Sequence, residues 1–358
     1  MTSEFRRQPL HLALEVDGDG AHPAAWRASG RAPSTVLTPQ AIRDVVARAE
    51  DGGFTLLTYA DSPLPPSAGL DAAGRLEAVG RAAYSSRLTD RIGLAPTAHA
   101  TTTEPFHLAA QLASLDHASR GRAGWIVGAA NSVEALRTIG ATPLADPRQE
   151  VLDVIDVVRR LWDSWEDDAV IKDVPTGRYL DPGKVHHVDF EGRTFSVKGP
   201  LITPRPPQGQ VVVFGPDSLD IAGRVDVVLV AGADFDSLRQ QADAARAAGA
   251  SLVFAEVEVS ADAGQVAALD QHTPWEPVGR LRHVGPPGEL VNLLLRLTTA
   301  VDGVRLHPAV LSTDLPVLTG HVLPELASAG VHQPPQPHQT LRSALGLARP
   351  VNRYATAG

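Results

Sequence analysis

Short apolar runs recur along the chain, and most of them lead into a segment whose apolar residues return at helical spacing. The runs are HLALEV, FTLLTYAD, RIGLAPTA, RAGWIVGA, VVVF, VDVVLVAG, SLVFAEVEV and GVRLHP. Few of them alternate cleanly between apolar and polar residues, which is the pattern of strands covered on both faces. Eight such strand-then-helix units predict a (β/α)8 barrel of the α/β class. A doubly wound sheet is the alternative. No G-x-G-x-x-G opens a helix, since Gly18-Asp19-Gly20 lacks the third glycine, and there is no Walker loop.

Local signals place the helices. Thr38 is the candidate N-cap of the first, with Pro39 at the first helical position, where its missing N–H does no harm. Ile42, Val45, Val46 and Ala49 share a face, and Gly52-Gly53 suits a left-handed close. A second helix is expected over 69–88. In the third, Phe106, Leu108, Leu112 and Leu115 form a core stripe. Asp146 and Pro147 start a long helix carrying Val151, Val154, Val158, Leu161, Trp162 and Trp165. The last regular helix is expected over 317–330.

Residues 166–209 interrupt the alternation. They are rich in Pro, Gly and Asp and hold a candidate hairpin, VHHVDFEGRTFSV, turning at Glu191-Gly192. With too few apolar residues for a core of their own, they read as an excursion from one domain spanning 1–358. Residues 331–358 form a C-terminal extension.

Composition excludes several functions. The chain has 358 residues, 43% of them hydrophobic, enough for a sizeable core. Its formal net charge is −9 with no basic block, which argues against a nucleic-acid partner. There is no cysteine, which removes thiolate nucleophiles, iron–sulfur clusters and cysteine zinc sites. The N-terminus lacks a signal-like apolar stretch, and no run approaches the ~18 apolar residues of a membrane span, so a soluble cytoplasmic protein is expected.

Barrel active sites form at the C-terminal ends of the strands. The candidates there are Asp61, residues 97–103, 128–131, 215–218 and 231–233, Glu256 or Glu258, and His307. A Schiff-base lyase needs a lysine at a strand end. Lys172, Lys184 and Lys198 all lie in the excursion. The 13 histidines match no metal-ligand spacing, and no G-x-S-x-G announces a nucleophile. What remains is a mouth of small residues, GRAGWIVGAAN above all. Such a mouth suits a flat aromatic cofactor resting against backbone.

The run from Thr97 to Trp125, TAHATTTEPFHLAAQLASLDHASRGRAGW, resembles the bacterial-luciferase-like monooxygenases. The branch it resembles contains nitrilotriacetate and dibenzothiophene-sulfone monooxygenases. The resemblance recurs at LWDSWEDDAVIKD, DPGKVHHVDFEGRTFSVKGPL, RPPQG and TLRSALGLARPVNRYA, in the family's order over most of the chain. It implies a TIM barrel, FMN delivered in reduced form by a partner flavin reductase, O2 as co-substrate and a small organic substrate. Relatives often form dimers, so a homodimer is a further expectation.

Carried over residue by residue, the resemblance assigns Asp61, Thr97, Trp125, Arg148 and Ser218 to the cofactor; it assigns no catalytic residue and no metal. The chain also departs from the family. Ile126 replaces an Asn, and Ala145 and Gln149 replace a His and a Tyr beside the cofactor. Phe214-Gly215-Pro216-Asp217 replaces most of the phosphate turn. Pro216 lacks an N–H there and Asp217 brings negative charge. The stretch 260–283, where relatives carry a long lid, is short. Two other readings stay open: a diverged, non-catalytic barrel with weak or no flavin binding, and a deazaflavin-dependent oxidoreductase.

Overall fold

The computed structural model describes residues 9–65 and 74–355. Eight parallel strands close into a barrel: β1 His11–Val16, β2 Leu56–Tyr59, β3 Gly93–His99, β4 Gly124–Gly128, β5 Val212–Pro216, β6 Val227–Val230, β7 Leu252–Ser260 and β8 Gly303–Pro308. Each pairs with its sequence neighbour, and β1 pairs with β8, with Ala13 opposite both Leu56 and Arg305. All eight lie where the apolar runs predict.

Helices wrap the outside: α1 Pro39–Gly52, α2 Ala78–Ser85, α3 Pro105–Ala118, α4 Pro147–Asp163, α5 Phe235–Ala247, α6 Pro287–Leu297 and α7 Leu311–Val317. Among the described residues no helix is long and apolar enough to cross a membrane. Gly53 closes α1 at φ 85°, as expected, but the Thr38 hydroxyl donates to Thr35 O at 2.7 Å instead of capping the helix. Asp146 caps α4 by accepting from Gln149 N at 3.0 Å.

Four elements differ from the sequence expectation. Part of the helix expected over 69–88 falls on 66–73, outside the described residues; the observed α2 begins only at Ala78, where the Glu77 carboxylate caps it. The final helix begins at Leu311, six residues early, and continues through a π-turn, Leu318–Val322, to Ser328. No helix joins β5 to β6, only two 3-10 turns. A ninth strand, Leu281–Val284, pairs with the upper half of β7, Val257 facing Leu281. Its sequence LRHV is half-buried and carries two polar residues, so it does not stand out as an apolar run.

The strand residues Leu12, Leu14, Leu57 and Val213 face outward and pack under the helices. Inside the barrel lie Leu56, Ile126, Phe214 and Phe254, sealed below by Leu341 and Leu345 of the C-terminal extension. Phe214 and Phe254 meet edge-on at 6.1 Å. This packing needs Gly303, where a Cβ would come within 2.5 Å of the Phe254 ring. Gly303→Val is therefore expected to cost about 1–3 kcal/mol through overpacking. Urea unfolding checks this, and an unchanged midpoint would contradict it.

The excursion has no core of its own. Val188, Phe190, Val197 and Leu201 join the outer layer of the barrel, and the candidate hairpin forms from Phe190–Glu191 and Ser196–Val197. A second hairpin, Val170–Asp173 with Arg178–Leu180, carries no apolar run that would mark it in the sequence.

Asp116 on α3 ties these parts together. It accepts from Gln208 Nε2 at 2.6 Å and Ala123 N at 3.1 Å. Burial pushes its carboxyl up to about 7, against these hydrogen bonds. A raised carboxyl contributes stability that is full below its unfolded value of ~3.9 and is lost as pH rises through the folded value. Stability should therefore fall between about pH 4 and 7, and Asp116→Asn should flatten that slope in urea midpoints taken across the range.

Candidate active site at the barrel mouth

Above the aromatic layer, charged side chains face into the barrel. Arg305 of β8 places Nη1 2.6 Å from Glu256 Oε1 on β7. Its Nε lies 3.0 Å from Glu15 Oε2 on β1 and 2.9 Å from Thr58 Oγ1 on β2. Register explains the meeting, since Arg305 stands opposite Glu256 and Glu15 opposite Thr58. Two more arginines complete the set. Arg280 Nε lies 3.0 Å from Glu256 Oε2, and Arg282 Nε lies 2.7 Å from Glu258 Oε2.

Burial is the largest influence on the carboxyls of Glu15 and Glu256 and works to raise them, but the Arg305 charge together with His307 and the hydrogen bonds outweighs it. Glu15 ends below the usual carboxylate range and Glu256 well below it. His307, at the top of β8 and 4% exposed, is lowered by burial and is held neutral at pH 7. Its Nε2 is 3.7 Å from Glu256 Oε1 and has no hydrogen-bond partner among the described residues.

Two hollows open at this end. One, of about 460 Å3, is lined by Asp61, Thr97, His99, Thr102 and Thr103 on the β2–β3 side. The other, of about 590 Å3, lies over β1, β7 and β8 and is bounded by Glu15, Glu258, Trp275 and His307.

The five residues assigned to the cofactor fall into three places. Asp61 and Thr97 line the first hollow together. Asp61 is also a turn former: its carboxylate accepts from Ser62 N and Ala78 N, both at 2.8 Å. Ser218 lies in the turn after β5, and Arg148 reaches the end of that turn, where its Nε is 2.9 Å from both the backbone oxygen and the carboxylate of Asp220. Trp125 lies apart. It points outward from β4, is 0% exposed, and its Nε1 donates to Ala98 O at 3.0 Å. Its place is the layer between barrel and helices, with no surface on either hollow.

The open turn at Gly128 has a resident. A Cβ there would come within 2.7 Å of His99 Nδ1, so the imidazole lies directly against the glycine. His99 Nε2 is 3.3 Å from Asp61 O, while the buried Nδ1 has no partner among the described residues.

At the turn after β5, Pro216 closes the strand and Asp217 opens a three-residue 3-10 turn. Burial raises the Asp217 carboxyl, as does the Glu256 charge, against the backbone N–H groups of Ser218 and Ala231. A negative charge thus stands beside the backbone N–H groups of this turn. Gln149, at the start of α4, donates to Asp153 Oδ1 at 2.7 Å.

Sequence reasoning missed Glu15, Arg305, Trp275, Arg280 and Arg282. Two of these carry a legible signal, the lone Arg inside GVRLHP and the lone Glu inside HLALEV, which an apolar strand has no cause to bury. Trp275 and the two arginines belong to the short segment after helix Ala263–Asp270. Arg282 fixes that segment by donating to Trp275 O at 2.7 Å and stacking 3.9 Å over the Trp275 ring. His22 meets Asp270 at 3.1 Å from the other side.

A closed parallel barrel with its polar and small residues gathered at the C-terminal strand ends defines the class: an α/β barrel with its site at the mouth. Within it, the family model for luciferase-like monooxygenases matches residues 21–284, and the chain belongs to that family. It is 32% identical to a component of pristinamycin IIA synthase from Streptomyces pristinaespiralis, over 91% of this chain and 94% of that protein. It is 36% identical to nitrilotriacetate monooxygenase component A of Aminobacter aminovorans, over 57% of this chain and 49% of that protein. The fold matches EDTA monooxygenase from Chelativorans sp. BNC1 with a TM-score of 0.82 at 21% identity, covering 96% of this chain and 99% of that one.

Proposed function

We propose that this chain is the oxygenase of a two-component monooxygenase that takes reduced FMN from a separate reductase and oxidises a small organic molecule. The observation that carries this reading is the β2–β4 rim. Its 460 Å3 hollow is lined by short polar side chains and stands beside a glycine whose covering imidazole has an unsatisfied nitrogen. Such a rim fits a planar ring bearing hydrogen-bonding atoms.

In this reading Thr97 and the Asp61 turn hold the ring edge, and a rotation of His99 uncovers Gly128 to receive its face. Arg148 and Ser218 meet the phosphate. Reduced flavin, when bound, supplies the two electrons that divide O2 between substrate and water. The protein's share is to place the substrate and to keep water out. The Arg282-stapled segment serves the second task as a fixed cover.

Asp217 and Pro216 favour a second reading, a diverged barrel that holds flavin weakly or not at all. Binding of reduced FMN to the purified protein separates the two. Saturation in the micromolar range supports the oxygenase, and none at millimolar FMN supports the diverged barrel.

A further inference from the structure

We infer that the 590 Å3 hollow over β1, β7 and β8 is a substrate pocket for an uncharged organic molecule with an apolar body and one hydrogen-bonding group, which His307 receives. The inference rests on the oxygenase reading for its chemistry but not for its geometry.

Charge is the first ground. Each guanidinium that lines the hollow, Arg280 and Arg305, is already matched, as is Arg282 behind it. Arg305 is held by Glu15 and Glu256, Arg280 by Glu256 at 3.0 Å, and Arg282 by Glu258 at 2.7 Å. Three cations against three carboxylates leave no positive charge for a ligand. The remaining ionisable groups on the wall are acidic: Asp17, which shares Arg75 at 3.2 Å, and the exposed Glu276. A polycarboxylate entering here would find each lining arginine already paired and would meet the negative charge of Glu276, unpaired among the described residues.

The second ground is the polar handle. His307 lines the hollow and is 4% exposed, and among the described residues its buried Nε2 has no hydrogen-bond partner. A buried imidazole nitrogen without a partner is a costly arrangement unless something completes it. One donor or acceptor on the ligand does so. The third ground is the wall itself. Pro23, Pro274, Trp275, Val278 and Pro308 give the rest of the ligand an apolar surface.

The test uses the purified protein without flavin and three probes, followed by calorimetry. Dibenzothiophene sulfone is the uncharged aromatic probe with acceptor oxygens, nitrilotriacetate the polyanion, and benzyltrimethylammonium the cation. The sulfone is expected to bind saturably, nitrilotriacetate not to saturate at millimolar concentration, and the cation to bind more weakly than the sulfone. His307→Phe keeps the ring's bulk and should weaken the sulfone about tenfold, the value of one hydrogen bond. Glu276→Lys, at an exposed position where folding is not at stake, should introduce measurable nitrilotriacetate binding.

Tighter binding of nitrilotriacetate or the cation than of the sulfone, no binding of any probe, or sulfone affinity unmoved by His307→Phe would overturn the assignment. So would continued rejection of nitrilotriacetate by Glu276→Lys. Reduced-FMN binding is measured in parallel. Its absence, with probe selectivity intact, would sink the oxygenase reading and leave the pocket standing.

Discussion

Arg305→Met is expected to destabilise the protein by about 3–5 kcal/mol, the cost of stranding a buried charge without its partner. The variant keeps the side-chain volume but leaves Glu15 and Glu256 inside the barrel with one cation fewer. Both carboxylates are almost fully buried, and Arg305 bonds to each of them. The pH response gives a second signature. A carboxyl held below its unfolded value contributes stability that is present above about pH 4.5 and is lost as pH falls through the folded value. The wild-type protein should therefore lose stability on acidification below about pH 4.5. Arg305→Met should lose less, because its carboxyls are no longer held down. Replacing Glu15, Glu256 and Arg305 together with apolar residues should recover much of the loss, since a buried ion set is seldom better than a packed apolar one. Urea unfolding from pH 3 to 8 reads all three effects. A wild-type midpoint in the single variant would mean that Arg305 is solvated and that the ion layer is not a layer.

Asp217→Gly combined with Gln149→Tyr is expected to tighten FMN binding by at least about tenfold and to leave riboflavin binding little changed. The first substitution removes a negative charge beside the N–H groups of Ser218 and Ala231. The second restores an aromatic hydroxyl at the start of α4, in place of an amide engaged with Asp153. Riboflavin is the control because it lacks the phosphate. Charge-assisted contacts of this kind carry about 1.5–3 kcal/mol each, so tenfold is the modest end of the range. Equal gains for the two flavins, or none, would mean that the phosphate does not lie at the turn after β5.

The barrel was legible from the sequence because its eight strands are mostly apolar and covered on both faces. HLALEV, RAGWIVGA and SLVFAEVEV announce themselves by composition, whereas LRHV, half-buried at the rim, does not. The family was legible for a related reason. The quoted blocks meet in one clasp far from the mouth. Arg205 Nη2 reaches Asp163 at 3.0 Å, Arg349 Nη2 reaches Asp167 at 2.6 Å, and Asn352 Nδ2 donates to Asp163 O at 2.9 Å. Leu341 of the same C-terminal block seals the barrel floor. These residues hold the fold together and say little about the reaction.

The site was read less well because it depends on direction. Trp125 sits next to inward-facing Ile126, and a one-residue step in a strand decides between the barrel lumen and the helical layer. Gly128 is open, as its composition suggests, yet only coordinates reveal that His99 covers it. The ion layer pairs residues as far apart as Glu15 and Arg305, which barrel closure brings together.

The most direct test is an anaerobic titration of the purified protein with reduced FMN, followed by flavin fluorescence and repeated with Thr97→Trp, which fills the hollow beside Asp61. The oxygenase reading predicts saturable micromolar binding to the natural sequence and its loss in Thr97→Trp. A folded protein that shows no saturation at millimolar reduced FMN, or binding that survives a blocked hollow, would contradict it.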